Sequence, residues 1–236
     1  MPEARAVLAV GRHGATAVLD LARPEKFNCL SSAVHAAIEV ALDAAEADPA
    51  CRAVLIAAQG KHFCTGADLA EVQALRGAGR FDEFIAQGHR VLSRLEASPL
   101  PVVMAVQGLC LAGGLELALA GDVILAAEGA RFGDQHAQYG LVPGWGGSQR
   151  LPRRVGLTRA LDLMFSARWL DAAQARDWGL VAQVVPDAEL RDSALAYCEQ
   201  LATRSRPGLA AMKRLARTGA DLPLADALAL ERRLAL

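Results

Sequence analysis

Two glycine-containing loops carry the residues of this chain that are best suited to chemistry. In the first, the pair Gly113-Gly114 is followed by Glu116 within an otherwise apolar run. If a helix begins at Gly113, its amide has no partner inside that helix and lies at the positive end of the helix dipole, with Glu116 one turn along the same face. The spacing therefore predicts a donor for an oxyanion beside a group that can transfer a proton.

The second loop, residues 63–68, offers a similar amide. Gly66 permits a tight turn, and we expect a helix to begin at Ala67, which would leave the Ala67 amide unpaired as well. Two such amides that meet at one carbonyl oxygen form an oxyanion hole, which stabilises an enolate or a tetrahedral intermediate. Taken alone, each loop is more often ordinary turn chemistry, because short glycine motifs are common.

Glu116 also has a purely structural interpretation. A carboxylate in the first turn of a helix is stabilised by the helix dipole and needs no other role. However, Glu116 lies in an apolar stretch, where an unpaired charge is costly. This context favours assigning Glu116 to a functional site.

The order of strands and helices predicts how the two loops are held. A strand, a glycine-bearing loop and a helix occur in that order at 53–75 and again at 102–120, which indicates related structural units in an α/β protein. A hairpin turn is expected at 11–14. We expect the other strands and helices at 6–10, 16–21, 31–47, 81–95, 123–126 and 181–185.

Composition limits the class of protein. The chain has 236 residues, 53% of them hydrophobic, and a net charge of −1, which is typical of a globular protein and argues against a general nucleic-acid binder. Five scattered cysteines without a C-x-x-C pair predict neither a disulfide framework nor a metal site, and indicate reduced thiols in the cytoplasm.

The sequence predicts neither a signal peptide nor a membrane span. The first ten residues lack the apolar block of a signal peptide. The run 100–127 is interrupted by Glu116 and Asp122 and by several glycines and prolines, so we expect a buried core there.

Four separated motifs together resemble, in order and spacing, those of the enoyl-CoA hydratase/isomerase (crotonase) family. They are KHFCTGADL at 61–69, the segment 107–118, Phe132-Gly133, and GLVPGWGGSQRL at 140–151; the loop 23–28 matches as well. The resemblance implies a crotonase-like spiral of strand-strand-helix units with a helical C-terminal region, assembled as homotrimers or dimers of trimers. Because the strand patterns stop near Pro186, we expect a core at 1–186 and a helical capping or oligomerisation region at 187–236.

The resemblance also implies a substrate and a binding site. Ala67 and Gly113 would donate to the thioester oxygen of an acyl-CoA, and coenzyme A would enter only as part of the substrate, with no separate cofactor. The channel for the coenzyme would be lined by the loop 23–28, which contains Lys26, and by Asp68, Leu69 and Ala70. Trp145, set between glycines, either walls the acyl pocket or belongs to the core.

The chain departs from the family pattern at one catalytic position. Hydratases of the family carry a second glutamate shortly after the Phe-Gly pair, where this chain has His136. An imidazole titrates near neutrality, so a Glu116/His136 pair is compatible with hydration. The same pair would suit isomerisation or thioester hydrolysis, and His136 could also be only a wall of the pocket. Asp134, which shares a face with His136 if this stretch is extended, is a reserve candidate.

Three functions follow from these residues. The first is a hydratase that adds water across the double bond of a 2-enoyl-CoA through Glu116 and His136. The second is an enoyl-CoA isomerase or an acyl-CoA thioester hydrolase, and the third is a non-catalytic acyl-CoA binding protein. A nucleotide-binding oxidoreductase is disfavoured, because the sequence has no G-x-G-x-x-G after a strand and no G-x-x-x-x-G-K-[ST].

Overall fold

A six-stranded sheet forms the centre of the protein, as seen in a computed structural model that describes residues 6–235. Its strands, in spatial order, are β1 (Leu8–His13), β2 (Thr16–Leu21), β3 (Ala53–Ala58), β4 (Val102–Val106), β6 (Val123–Ala127) and β9 (Gln183–Val185). A second sheet contains β5 (Leu109–Leu111), β7 (Arg131–Gly133) and β8 (Leu170–Asp171). Only the pairs β1–β2 and β7–β8 are antiparallel, so crossover segments connect most neighbours within the described chain.

Some helices lie on the two faces of the large sheet, and the others pack against helices. The helices are α1 (Ser32–Ala47), α2 (Leu69–Gly77), α3 (Phe81–Ala97), α4 (Gly113–Ala120), α5 (Gly147–Val155), α6 (Leu157–Ser166), α7 (Ala172–Asp177), α8 (Leu190–Ala202), α9 (Arg206–Gly219) and α10 (Leu224–Leu234). Alternate residues of β3 point to opposite faces: Ile56 packs into the core with α1, α3 and α4, whereas Leu55 packs with Cys198 of α8. Such burial on both sides explains why the central strands are continuous apolar runs.

The winding of the chain produces the predicted spiral. A strand of the large sheet is followed by a short strand of the small sheet and then by a helix, as in β4, β5 and α4. The next turn repeats this order with β6, β7 and α5. The α/β fold class of strand-strand-helix units with C-terminal helices is therefore confirmed.

Long, strongly patterned elements match the sequence expectations, and short ones do not. The bounds of β2 and the first residues of β3 and β4 are as predicted, and the Ser31 hydroxyl accepts a hydrogen bond from the Val34 amide to cap α1. The hairpin prediction was wrong in detail, because β1 continues through His13 in register with β2 and the turn falls at Gly14-Ala15. The strands β5, β7 and β8 were missed, since two or three residues show no periodicity.

The C-terminal helices differ in how they pack. Helix α8 lies against the large sheet, whereas α9 and α10 contact each other and contain no fully buried residue. The division at Pro186 stays a prediction. In the described part of the chain, no helix is both long enough and apolar enough to cross a membrane.

Gly88 of α3 provides a test of how tightly this core is packed. A methyl group at Gly88 would lie 2.2 Å from Nε1 of the buried Trp145, so we expect Gly88→Ala to lower the free energy of unfolding by about 1–3 kcal/mol. Gly77→Ala is the matched control, because nothing lies within 4 Å of the added methyl. That variant should gain about 0.4–1 kcal/mol through the entropy of the unfolded chain. Urea unfolding measures both, and a Gly88→Ala protein as stable as wild type would contradict the packing described.

Candidate active site

The two glycine loops lie directly against each other. A Cβ atom built on Gly66 would be 3.4 Å from the Gly113 nitrogen, and one built on Gly113 would be 3.3 Å from the Gly66 Cα. Just before these positions, the main chains at Cys64 and Cys110 pair in an isolated parallel β-bridge, which aligns the two segments. The loops that the sequence singled out are thus brought together by backbone contact.

Ala67 presents its amide in a way that differs from the expectation. Helix α2 begins at Leu69 rather than at Ala67, because the Asp68 carboxylate accepts hydrogen bonds from the amides of Ala70 and Glu71 and so acts as the N-cap. The Gly66 carbonyl accepts a 2.7 Å hydrogen bond from the Leu30 amide. Since a trans peptide directs its C=O and N–H to opposite sides, the Ala67 N–H points away from Leu30.

Gly113 begins α4 as predicted. Within residues 6–235, neither its amide nor that of Ala67 donates a hydrogen bond. The residue before it, Ala112, has φ 48° and ψ −119°, a conformation that is strained for an L-residue and fixes the direction of the Gly113 amide. Gly114 is required for the contact between loops, since a Cβ there would lie 2.1 Å from the Cys64 carbonyl oxygen.

Glu116 is held by main-chain amides that sequence reasoning missed. Its carboxylate is buried, and Oε1 accepts hydrogen bonds from the amides of Trp145 (2.7 Å) and Gly147 (2.8 Å). Because Gly147 is the first residue of α5, the carboxylate also lies at the positive end of that helix dipole. Arg150 anchors this loop by donating to the Trp145 carbonyl at 2.7 Å. The run of glycines around Trp145 was the one feature of the sequence that could have indicated a close main-chain approach here.

His136 lies on the other side of the carboxylate. Its Nε2 is 3.7 Å from Oε2 of Glu116, and its Nδ1 is 2.8 Å from Oδ1 of Asp134. The same Asp134 oxygen accepts from the His136 backbone amide at 3.1 Å. The stretch is not extended at His136, where φ is −60° and ψ is −43°, so a local turn rather than strand alternation brings the two side chains together.

The electrostatics of these groups favour proton transfer. Burial raises the pKa of Glu116, although the amides of Gly147 and Trp145 and the charge of His136 act in the opposite direction. Burial alone would lower the pKa of His136, but the hydrogen bond to Asp134 and the charges of Asp134 and Glu116 outweigh it and raise that pKa. Across residues 6–235, His136 is the only basic side chain within 4.0 Å of either carboxylate.

The expected coenzyme loop lies beside the N-terminus of α2. Arg23 donates to Oδ2 of Asp68 at 2.8 Å, and the Lys26 Nζ is 4.0 Å from the same oxygen. Asp68 is buried and already paired, so its observed contacts hold the loop and cap the helix. The side chains of Lys26 and Leu69 are more than half exposed, and Ala70 is exposed too, which leaves them accessible to a ligand.

Trp145 lies in the core directly behind the paired loops. Its Cζ3 would be 2.6 Å from a Cβ on Gly113, and its ring packs edge-on against His35 (4.7 Å between centroids) and Phe84 (5.2 Å). Only 2% of its surface is exposed. The side chain therefore supports the first turn of α4, while its amide holds Glu116.

Glu116→Gln tests the cost of burying this carboxylate. Because the folded-state pKa is raised above the ordinary value, wild type should lose stability relative to the glutamine variant as pH rises from the ordinary carboxyl range through the raised pKa. At lower pH, where the glutamate is neutral in both states, the two proteins should be about equally stable. Chemical unfolding at several pH values measures the difference, and a glutamine variant that becomes the less stable of the two as pH rises would contradict it.

Known proteins are similar to this chain in both sequence and architecture. The family described as enoyl-CoA hydratase/isomerase matches residues 11–235. A probable enoyl-CoA hydratase of Rhizobium meliloti is 37% identical over 96% of this chain and 87% of its own length, and the 1,2-epoxyphenylacetyl-CoA isomerase of Escherichia coli is 35% identical over 91% and 83%. The crystal structure of an enoyl-CoA hydratase from Polaromonas sp. JS666 superposes with a TM-score of 0.93 at 33% identity, over 96% of this chain and 89% of that one. The chain belongs to the enoyl-CoA hydratase/isomerase family.

Proposed function

We propose that this enzyme is an enoyl-CoA hydratase, which adds water across the double bond of a 2-enoyl-CoA. The observation that carries the proposal is the pair of unengaged amides, at Ala67 and Gly113, next to a carboxylate and an imidazole that contact each other. Relatives and structural neighbours named as enoyl-CoA hydratases support the same reaction.

The oxyanion hole holds the thioester group. The carbonyl oxygen of the substrate accepts hydrogen bonds from the amides of Ala67 and Gly113. When a nucleophile adds to the β-carbon, negative charge moves to this oxygen and the thioester becomes an enolate. Donors fixed in place by the fold stabilise the enolate more than the neutral thioester, which lowers the barrier.

Glu116 and His136 move the two protons. Ionised Glu116, with Oε1 fixed by two amides, takes a proton from water at Oε2 while the water oxygen bonds to the β-carbon. Protonated His136 gives its Nε2 proton to the α-carbon, and the enolate returns to a thioester. The product has gained one water molecule. Afterwards Glu116 is neutral and His136 is uncharged, and one proton passed across the 3.7 Å contact restores both.

The remaining site residues bind the rest of the substrate. The loop 23–28, with Lys26, and the exposed Leu69 and Ala70 line the channel for coenzyme A, and Asp68 holds the two sides of that channel together. Trp145, buried in the core, supports the first turn of α4 that carries the Gly113 amide. Coenzyme A is part of the substrate, and the reaction needs no further cofactor.

Isomerisation is the second candidate, and the contact between Glu116 and His136 favours it. Two linked proton-transfer groups can remove a proton at one carbon and return it at another without adding water. The similarity to an isomerase of Escherichia coli is in keeping with this reaction. Thioester hydrolysis, which would release free coenzyme A, and binding of acyl-CoA without turnover are the outcomes that product analysis separates from both.

We also propose a homotrimer or a dimer of trimers in the cytoplasm. Helices α9 and α10 bury no residue, and their exposed apolar side chains, including Met212, Leu224 and Leu228, are suited to contact a second copy. All five cysteines are unpaired, in keeping with a reducing compartment.

Glu116→Gln should abolish most of the hydration. The amide side chain keeps an oxygen for the two main-chain donors but is not a base, so we expect kcat with crotonyl-CoA to fall about 10²–10⁴-fold while KM changes little. Loss of the enoyl thioester absorbance measures the rate, and mass spectrometry identifies the product. Free coenzyme A or a migrated double bond as the wild-type product would contradict the assignment as a hydratase.

Ala67→Pro tests the oxyanion hole without touching a proton-transfer group. Proline removes the amide hydrogen, so kcat should fall about 10²–10³-fold. Ala67→Gly keeps the amide and is the control, with activity expected near that of wild type. Circular dichroism is the check that both variants are folded. Equal rates for the proline and glycine variants would show that this amide does not stabilise the transition state.

A further inference from the structure

We infer that Asp134 is a positioning residue that fixes the tautomer and orientation of His136 and so makes His136 the proton donor and Glu116 the base. This inference rests on the proposed hydratase function. The family resemblance does not imply this role. The family's hydratases have a glutamate at the position of His136, whereas this chain has an Asp-x-His turn, Asp134 to His136.

Asp134 holds His136 at two points. One carboxylate oxygen, Oδ1, accepts both from the ring Nδ1 (2.8 Å) and from the backbone amide (3.1 Å) of the same residue. An ionised carboxylate can only accept, so the Nδ1 atom carries a hydrogen in this contact. The remaining ring nitrogen, Nε2, faces Glu116 at 3.7 Å and is the atom available to the substrate.

Charge and burial assign the resting proton. Asp134 and Glu116 are 2% and 1% exposed, and no lysine or arginine of the described chain forms an ion pair with either. The charged groups that act on His136 are these two carboxylates. Two buried negative charges without compensation would be costly, and a proton on His136 lies between them and compensates both. His136 therefore rests as an imidazolium and Glu116 as a carboxylate.

The hydrogen bonds of Asp134 separate this role from a purely structural one. Its side chain bonds only to His136 among the described residues, whereas a residue that merely caps a turn needs only the backbone contact. Asp134→Asn keeps an oxygen that can accept both hydrogen bonds but removes the charge. Asp134→Glu keeps the charge on a longer side chain and is the conservative variant.

The pH dependence of hydration is the main readout. The donor must be protonated, so the rate should fall as pH rises through the pKa of His136, which Asp134 helps to raise. Asp134→Asn should move this alkaline limb to lower pH by about one unit or more, the shift expected when a nearby opposite charge is lost. At pH values above the His136 pKa of both proteins, the kcat of Asp134→Asn should be about tenfold lower than that of wild type. At pH values where His136 stays protonated in both proteins kcat should change little, and KM should change little throughout.

The experiment combines rate profiles with histidine NMR on the full chain. The pH dependence of kcat with crotonyl-CoA is measured for wild type, Asp134→Asn, Asp134→Glu and Gln135→Ala. Gln135 donates to the Ala167 carbonyl from the same turn, so its variant controls for local disturbance and should leave the alkaline limb in place. Asp134→Glu should restore at least part of the wild-type profile. In ¹⁵N-histidine spectra, wild-type His136 should titrate at higher pH than in Asp134→Asn and should keep its hydrogen on Nδ1 when neutral.

The outcomes distinguish failure of the inference from failure of the proposed function. If wild type hydrates crotonyl-CoA but Asp134→Asn has the same alkaline limb and the same His136 titration, the inference is overturned. If no enoyl-CoA is hydrated, the proposed function fails, while the NMR titration still decides whether Asp134 controls the protonation of His136. If Asp134→Asn does not fold, the wild-type spectrum alone decides, because a neutral His136 with its hydrogen on Nε2 contradicts the inference.

Discussion

The close approach of two backbone turns is the constraint on which the rest of the site depends. Gly66 and Gly113 are in contact, and a side chain at Gly114 would collide with the Cys64 carbonyl. Glycine at these positions lets main chain meet main chain at this separation, and the approach brings amides from two different turns to the same place in the site. The strained Ala112 and the hydrogen bond from Leu30 to the Gly66 carbonyl then fix the direction of each amide.

The second constraint is electrostatic. Burying Glu116 and Asp134 within one small site is unfavourable unless a positive charge is shared between them, and His136 is the residue placed to carry it. Burial raises the pKa of Glu116 and so makes the carboxylate a stronger base, whereas the hydrogen bond to Asp134 and the charges of Asp134 and Glu116 raise the pKa of His136 against the effect of burial. In the proposed mechanism, function and stability are therefore opposed at Glu116, as is common where a fold holds charged groups away from water.

Sequence patterns predicted those parts of the site that lie within one element. The helix that begins at Gly113 and carries Glu116 follows from local spacing, and the adjacency of the two loops follows from the family's motifs. The hydrogen bonds from the amides of Trp145 and Gly147 to Glu116 were not predicted, because they come from main chain about thirty residues downstream and depend on packing against α4, and the glycines around Trp145 were the only local sign of a close main-chain approach. At Ala67 the expectation of a helix start was wrong, since local periodicity does not reveal that the Asp68 side chain caps the helix one residue later.

A direct test of the central claim is the vibrational frequency of the thioester carbonyl in the bound state. Butyryl-CoA labelled with ¹³C at the carbonyl has no double bond to hydrate, so it reports binding alone by difference infrared or Raman spectroscopy. Two amides on the oxygen polarise the C=O bond, and the account predicts a bound carbonyl band at clearly lower wavenumber than in water, with a smaller displacement in Ala67→Pro. A bound carbonyl band at the same wavenumber as in water would contradict the account.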